Sequence, residues 1–173
     1  MRRGISVLLT IAMVLTMISA TQVQSLANKT TTGDNVLKIE DGKLIVSNIQ
    51  QETFFHTNQV FSGDYMVEMR AKVRNRAAGL LLGQGGNRAT MWSLATVNPS
   101  GVWIHPMNRW ADVMAVPSDQ VQNDKWVTVK VEIQGTTATT WLNDRQVDQR
   151  AVPEGSSNGP IGLRFVETEA ADL

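Results

Sequence analysis

Short apolar runs separated by turn-forming residues fill the chain from Val36 onward. In the clearest of them, Tyr65 to Val73, apolar side chains alternate with polar ones, and Val127 to Ile133 repeats this period of two. The period is typical of a strand with one face in the core and the other toward solvent. Ala78 to Gly83 is apolar throughout, which favours a central strand. We find no helical window with a clear 3.6-residue period, so the pattern predicts an almost all-β domain.

Turn residues divide the chain into about eleven short strands spaced near ten residues apart. Asp41-Gly42 and Asn143-Asp144 mark two of the hairpin turns. This spacing predicts an antiparallel β-sandwich of the jelly-roll kind. The remaining predicted strands are Val36–Ile39, Lys43–Asn48, Thr53–Thr57, Arg88–Thr96, Val102–His105, Trp110–Val116, Thr137–Leu142, Gln146–Val152 and Ile161–Val166.

The first residues follow a different pattern. Two arginines precede an apolar run from Ile5 to Ile18, and small residues suited to cleavage follow at Ala20 and Ala27. This order is typical of a signal-peptide helix, and Ser25 favours the later site. The run is about 14 residues long, whereas a spanning helix needs roughly 20, so we expect the segment to be removed rather than kept as an anchor.

The predicted organisation is therefore a signal peptide at 1–27, a flexible, polar linker at 28–35 and a sandwich at 36–173. Of the 16 basic and 16 acidic residues, two basic ones lie in the signal peptide, so the remainder carries 14 against 16 and a net charge of −2. Because no basic stripe is present, we expect no nucleic-acid partner. The absence of cysteine excludes disulfides and suits an exported bacterial protein. The sequence predicts a secreted protein with no membrane attachment once the signal is removed.

Familiar catalytic arrangements are missing from the sequence. With two histidines and no cysteine, a zinc site built mainly from these residues cannot form. A Gly-x-Ser-x-Gly elbow is absent, and so is the closely spaced pair of acids that sandwich glycosidases carry on one strand. We therefore predict no catalytic residue. The acids left to an enzyme would be Glu68, Glu132, Glu167 and Glu169.

Calcium is the metal that the composition leaves open, because it needs only oxygen ligands. Asp34, Asn35 and Asp172 lie near the two ends of the predicted domain, which sandwiches often bring together. The alternative, solvated loop residues, is favoured, and we predict no cofactor.

One segment concentrates side chains suited to sugars, whose flat C–H faces stack on aromatic rings while their hydroxyls bind polar groups. If residues 102–105 form a strand, Val102 and Ile104 face the core, so Trp103 and His105 face solvent. For this pair, ligand contact and packing remain equal alternatives. The candidate carbohydrate-binding residues are Trp103, His105, Asn108, Arg109 and Trp110.

Five segments, in order, carry a family resemblance: GDYMVEMRAKVRNRAAGLLLG, MWSL, WIHPMNRW, WVTVKVEIQGTTATTWLNDRQVD and GPIGLRFVETEAADL. They resemble concanavalin A-like lectin/glucanase domains, and in particular the accessory sandwich of bacterial α-L-rhamnosidases and related secreted glycoside hydrolases. The resemblance covers roughly Val36 to Leu173. It implies a carbohydrate-binding or accessory module that binds an oligo- or polysaccharide, as the N-terminal part of a glycoside hydrolase with a downstream catalytic domain.

Two alternatives stay open beside the accessory module. One is a glycan-hydrolysing enzyme of the glucanase or keto-disaccharide hydrolase type, and the other is a structural domain that only packs against a neighbour. Members of the resembled group continue with a further strand beyond the position of Leu173, so we expect a sandwich that lacks its last strand. They also carry a Pro-His pair where this chain has His105-Pro106, which removes support for a transferred histidine role.

Overall fold

The computed structural model describes residues 13–14, 37–83, 89–107 and 109–173. The strands are β1 (Met13–Val14), β2 (Leu37–Glu40), β3 (Lys43–Val46), β4 (Thr53–Ser62), β5 (Tyr65–Asn75), β6 (Ala77–Gly83), β7 (Ala89–Ala95), β8 (Gly101–Pro106), β9 (Met114–Pro117), β10 (Trp126–Gln134), β11 (Thr137–Leu142), β12 (Arg145–Ala151), β13 (Asn158–Phe165) and β14 (Ala170–Asp172). No helix in this part of the chain is long and apolar enough to cross a membrane.

The strands form two sheets. One has eight strands in the order β12-β11-β10-β5-β14-β3-β2, with β1 paired to β5, and the other has six in the order β4-β13-β6-β7-β8-β9. Every pairing is antiparallel except the short contact between β1 and β5. The predicted all-β antiparallel sandwich is confirmed.

The core lies between the inner faces of the two sheets. Val127, Val129 and Val131 of β10 are buried, as the period of two predicted, and they belong to the same cluster as Leu80 and Leu82 of β6. Trp92 of β7 is the largest fully buried side chain, and its indole Nε1–H donates to Thr140 Oγ1 of the opposite sheet at 3.0 Å. Because β6 and β7 are central strands, all their described residues are buried.

Several local predictions need correction. The strand predicted at Trp110–Val116 is wrong in its first half: Trp110–Asp112 is a 3₁₀ turn, closed by the bond from Asp112 N–H to Arg109 C=O at 2.9 Å, and the strand begins at Met114. Ala170–Asp172 is a strand that the pattern did not predict.

Most of the predicted N-terminal features lie outside the described residues, including the linker at 28–35 and both cleavage sites. Met13 and Val14 are the described part of the predicted signal helix, and they form β1 rather than a helical turn. They pair with Val67 and Glu68 of β5.

Asp172 fastens β14 into the interior of the eight-stranded sheet. Its carboxylate accepts Lys72 Nζ at 2.9 Å and Arg74 Nε at 2.7 Å, both from β5. Burial alone would raise the pKa of Asp172, but the hydrogen bonds from Arg74 and Lys72 outweigh it and hold the pKa below its ordinary value.

We predict that Asp172→Asn lowers the free energy of unfolding by about 1–2 kcal/mol at neutral pH, because the carboxylate that pairs with both Lys72 and Arg74 is lost. The loss is moderate since both cations are partly solvated. A lowered carboxyl pKa stabilises the fold above the ordinary pKa, and this contribution is lost as pH falls through the folded-state pKa. Urea unfolding of both proteins across acid pH should therefore show their difference shrinking toward low pH. A difference independent of pH would contradict the assignment.

Candidate functional site

The outward-facing residues of the six-stranded sheet form two rows across the strands, and each row includes charged or polar side chains. The first row, named here the arginine row, joins Phe54, Arg164, Gly79, Ser93 and Trp103 through successive cross-strand pairs. These residues share one face because each is opposite its neighbour in the ladder. The row runs from β4 at one edge to β8.

The second row, named here the histidine row, is displaced by two residues along each strand. It joins His56, Gly162, Leu81, Met91 and His105 in the same way. Four strand spacings separate the two histidines, a distance of about 19 Å. They therefore stand at opposite ends of the row and belong to different local environments.

The arginine row contains a buried cation, Arg164, which is paired with Glu52. Glu52 Oε1 accepts both Arg164 Nη2 at 2.7 Å and Arg164 Nε at 2.9 Å. The arginine side chain is 7% exposed and the glutamate side chain 44% exposed, so the guanidinium is buried and its counter-ion reaches solvent. A buried cation held this way is fixed in position and strengthens electrostatic contacts with any group that enters the site.

Gly79 makes room for this arginine. Arg164 reaches across the glycine toward β7, where its Nη1 lies 3.9 Å from Met91 Sδ. A Cβ at residue 79 would lie 2.5 Å from Met91 Sδ and 2.8 Å from Arg164 C=O. Gly79 therefore leaves space for the Met91 side chain, which Arg164 contacts, and for the close approach of the Arg164 backbone.

His105 is a buried titratable residue of the same face, and the charges of Arg164 and Glu52 both affect its pKa. Burial lowers its pKa, the positive charge of Arg164 lowers it further, and Glu52 opposes both effects more weakly. The imidazole is 3% exposed. A histidine with a lowered pKa is neutral at neutral pH, so His105 offers a proton acceptor. Met91, its cross-strand neighbour, is the residue that Arg164 Nη1 contacts.

His56 lies in a different environment, on the edge strand β4. Burial lowers its pKa, and its ring stacks on Phe54 with centroids 6.2 Å apart and planes 3° from parallel. No charged residue contributes to its pKa shift, in contrast to His105. It is therefore a matched comparison for His105 on the same face.

Trp103 lies beside buried residues of the outer face. Its Nε1–H donates to Pro99 C=O at 2.9 Å, which fixes the indole, and the residue is half-buried. Ser93, its cross-strand neighbour, is buried. A fixed aromatic ring beside small and polar residues is suited to stacking on a pyranose.

The structure brings together two of the five sequence-predicted site residues. Trp103 and His105 both face away from the core, as predicted, but His105 is buried, so its predicted solvent exposure is wrong. Arg109 lies beyond the end of β8 and pairs with Glu154 at 3.2 Å, an exposed contact. Asn108 and the side chain of Trp110 lie outside the described residues.

Sequence reasoning missed Arg164 and Glu52. A signal for the arginine was present: it is the one charged residue in the run from Ile161 to Val166, and it belongs to a segment that carried the family resemblance. Glu52 gave no signal, because it lies before β4 and meets Arg164 only across 112 positions of sequence.

The four acids named for an enzyme do not form a pair. Glu68 and Glu132 lie on the outer face of the other sheet, and Glu167 is exposed in a turn. Glu169 is buried, which raises its pKa, and its Oε2 accepts Val166 N–H at 2.8 Å. This bond closes the turn between β13 and β14, a structural role.

The described residues contain no group of three or more acidic or histidine side chains suited to a metal. Asp172, named as a calcium candidate, is bonded to Lys72 and Arg74. Its partners Asp34 and Asn35 lie outside the described residues.

Comparison of the whole chain with known proteins identifies one family and several solved structures that are similar to it. The family model of the 3-keto-alpha-glucoside-1,2-lyase-like domain matches residues 20–171. None of the proteins with curated descriptions matches the chain. Similar solved structures include the Emp46p carbohydrate recognition domain, with a TM-score of 0.64 and 14% identity over 91% of this chain and 90% of that one.

Two further structures share the sandwich. The carbohydrate-binding module CBM66 from Bacillus subtilis has a TM-score of 0.61 and 15% identity, covering 79% of this chain and 87% of its own. The Bacillus licheniformis β-glucanase has a TM-score of 0.59 and 10% identity, covering 80% and 79%. These likenesses confirm the predicted concanavalin A-like jelly-roll fold.

We predict that Gly79→Ala lowers the free energy of unfolding by about 1–3 kcal/mol, because the new methyl group overlaps Met91 Sδ and the Arg164 carbonyl. Urea denaturation measures the loss. Ala95→Ser, a substitution on the same face of the adjacent strand, serves as a control for a small change of volume. Unchanged stability in Gly79→Ala would show that Arg164 does not need the space.

Proposed function

The chain belongs to the 3-keto-alpha-glucoside-1,2-lyase-like domain family, and we propose that its arginine row and His105 form the site for a 3-keto-glucoside. The observation that carries the proposal is the buried Arg164, held by Glu52 and in contact with Met91, the cross-strand neighbour of the buried His105. A neutral base and a fixed cation are the two groups that cleavage beside a ketone requires.

The chemistry follows from the ketone. A carbonyl at C3 of the sugar acidifies the proton on C2, and neutral His105 can accept that proton. The C2–H electron pair then forms the C1=C2 double bond as the C1–O bond breaks. The departing oxygen takes the proton from the protonated His105 and leaves as the alcohol, which restores the neutral base. The sugar product is an unsaturated ketone.

Arg164 supplies the electrostatic part of this reaction. As the C2 proton leaves, negative charge develops on the C3 oxygen, and a guanidinium already held by Glu52 stabilises it without reorganisation. Burial and, to a smaller extent, the same positive charge lower the pKa of His105. Trp103 gives the sugar a ring to stack on at the β8 side of the row.

The second candidate is a carbohydrate-binding accessory module without turnover, of the kind found in α-L-rhamnosidases. Trp103 favours it, because an indole fixed by Pro99 at the border of the face suits binding alone. Calorimetric binding of a glycoside to this chain with no product formed would favour this candidate over the lyase.

We predict that His105→Gln lowers the rate of alcohol release from an aryl 3-keto-α-glucoside by about 10²–10⁴-fold, the usual contribution of a general base. His56→Gln is the matched control, since that histidine lies at the other end of the row, and its rate should stay near that of the unaltered protein. The unoxidised aryl α-glucoside is the substrate control.

The pH profile gives a second readout for the same prediction. Because the pKa of His105 is lowered, the unaltered protein should keep its activity below the ordinary histidine pKa of about 6.5 and lose it as pH falls further. Arg164→Gln should shift this limb toward higher pH, because a positive neighbour is removed. Equal rates for His105→Gln and His56→Gln, or no release from any keto-glucoside, would reject the lyase.

Export is also a proposal, supported by the signal-peptide pattern before Ala27. We expect the chain, expressed in a bacterium with its first 27 residues, to be found outside the cytoplasm with Asn28 as its first residue. N-terminal sequencing of the exported protein measures this. Retention in the cytoplasm at full length would contradict it.

A further inference from the structure

The outer face of the eight-stranded sheet carries two tryptophans that the six-stranded site does not use. Trp126 of β10 is opposite Lys72, and Trp141 of β11 is opposite Lys130, so both rings lie on the side away from the core. Both residues are half-buried. Trp126, which stands beside the valine run in sequence, therefore packs on the surface rather than in the core.

Cationic side chains lie against both rings. The Arg70 guanidinium carbon is 4.8 Å and Lys72 Nζ is 5.6 Å from the centroid of Trp126. Lys130 Nζ is 4.7 Å from the centroid of Trp141. These contacts hold flexible side chains down on the sheet, so their charges occupy fixed positions before any ligand arrives.

The charges around Trp126 are not balanced. Lys72 and Arg74 share the single carboxylate of Asp172. Arg70 makes its contact with the indole, and among the described residues it has no ion pair. Lys130 is opposite Glu68 in the ladder, and its Nζ lies 3.9 Å from Asp144, whose side chain is 95% exposed. Around Trp126, three cations thus face one carboxylate, a local excess of positive charge beside aromatic surface. We name the surface that carries Trp126 and Trp141 with these cations and Lys130 the tryptophan face.

We propose that the tryptophan face binds an acidic polysaccharide whose sugar rings carry carboxylates. The carboxylates would pair with Arg70 and Lys130, and the C–H faces of the sugars would contact the indoles. Trp126 and Trp141 are about 14 Å apart, because four residues along β10 and one strand spacing separate them. A short oligosaccharide can bridge this distance. This binding site lies on the opposite side of the core from the 3-keto-glucoside site.

An acidic polysaccharide fits this face better than other polyanions. Nucleic acid and anionic membranes are bound by extended basic surfaces, whereas this excess is confined to a few cations. Glu68 and Glu132, on the same outer face, interrupt any longer basic stripe. A rigid β-sheet with fixed indole rings and separated cations instead matches a polysaccharide whose sugar rings carry carboxylates at intervals.

The test is affinity electrophoresis of the full chain in native gels that contain polygalacturonate. Gels with fully methyl-esterified polygalacturonate keep the same backbone without its charge. We expect retardation in the acidic gel alone, weakening as salt is raised. Arg70→Gln with Lys130→Gln, and separately Trp126→Ala with Trp141→Ala, should each weaken binding by about tenfold or more.

The controls separate this site from general effects. Lys38→Gln removes one positive charge from the exposed strand β2 of the same sheet and should bind as the unaltered protein does. Trp126→Phe keeps an aromatic ring and should retain most of the retardation if Trp126→Ala fails to fold. Arg164→Gln should leave retardation unchanged, so failure of the 3-keto-glucoside site and failure of this site are distinguishable.

Four outcomes would overturn the proposal. They are no retardation of the unaltered protein by polygalacturonate, equal retardation by the methyl ester, equal weakening in Lys38→Gln, and binding of duplex DNA or of phosphatidylserine vesicles as tight as that of polygalacturonate. Selective retardation that the paired variants abolish would support it.

Discussion

Trp92 is the residue on which both the sandwich and the outer-face site depend. Its ring fills the centre of the core, and its bond to Thr140 joins the two sheets. Because a strand alternates its side chains, fixing Trp92 inward directs Met91 and Ser93 outward. These two residues are members of the histidine and arginine rows. The position of the site is thus set by packing on the other side of the same strand.

Placing a cation on a central strand has a cost that the local structure offsets. Arg164 loses most of its hydration, and a single carboxylate from Glu52 compensates it with two hydrogen bonds. The guanidinium also acts on its surroundings, since its charge lowers the pKa of His105 and opposes the raised pKa of the buried Glu169. One buried charge therefore contributes to the pKa of two buried groups, in addition to the larger effect of their burial.

The sequence was sufficient for the fold because the fold depends on local periodicity. The alternation from Val127 to Ile133 identified β10 and its inner face, and the same argument oriented Trp103 and His105 correctly. Periodicity assigns a side to a residue but not its depth, which is why the burial of His105 was missed. Depth depends on neighbours that come from distant parts of the chain.

The site itself could be predicted only in part. Trp103 and His105 lie close together in sequence and were found as a cluster, whereas Glu52 and Arg164 meet only after β4 and β13 pair. Arg109 was grouped with Trp103 and His105 by proximity in sequence, whereas in the fold it pairs with Glu154. The rhamnosidase context suggested by the sequence motifs stays a prediction, as does export.

The division of β7 and β8 into inward and outward positions has an evolutionary consequence. Substitutions at Trp92 or Ile104 change the core and are filtered by folding, whereas those at Ser93 or Trp103 meet whatever ligand occupies the outer face. Selection for a new sugar can therefore act on every second residue of these strands while the alternate residues preserve the scaffold. Specificity can therefore diversify with little risk to stability at outward positions that reach solvent, such as Trp103.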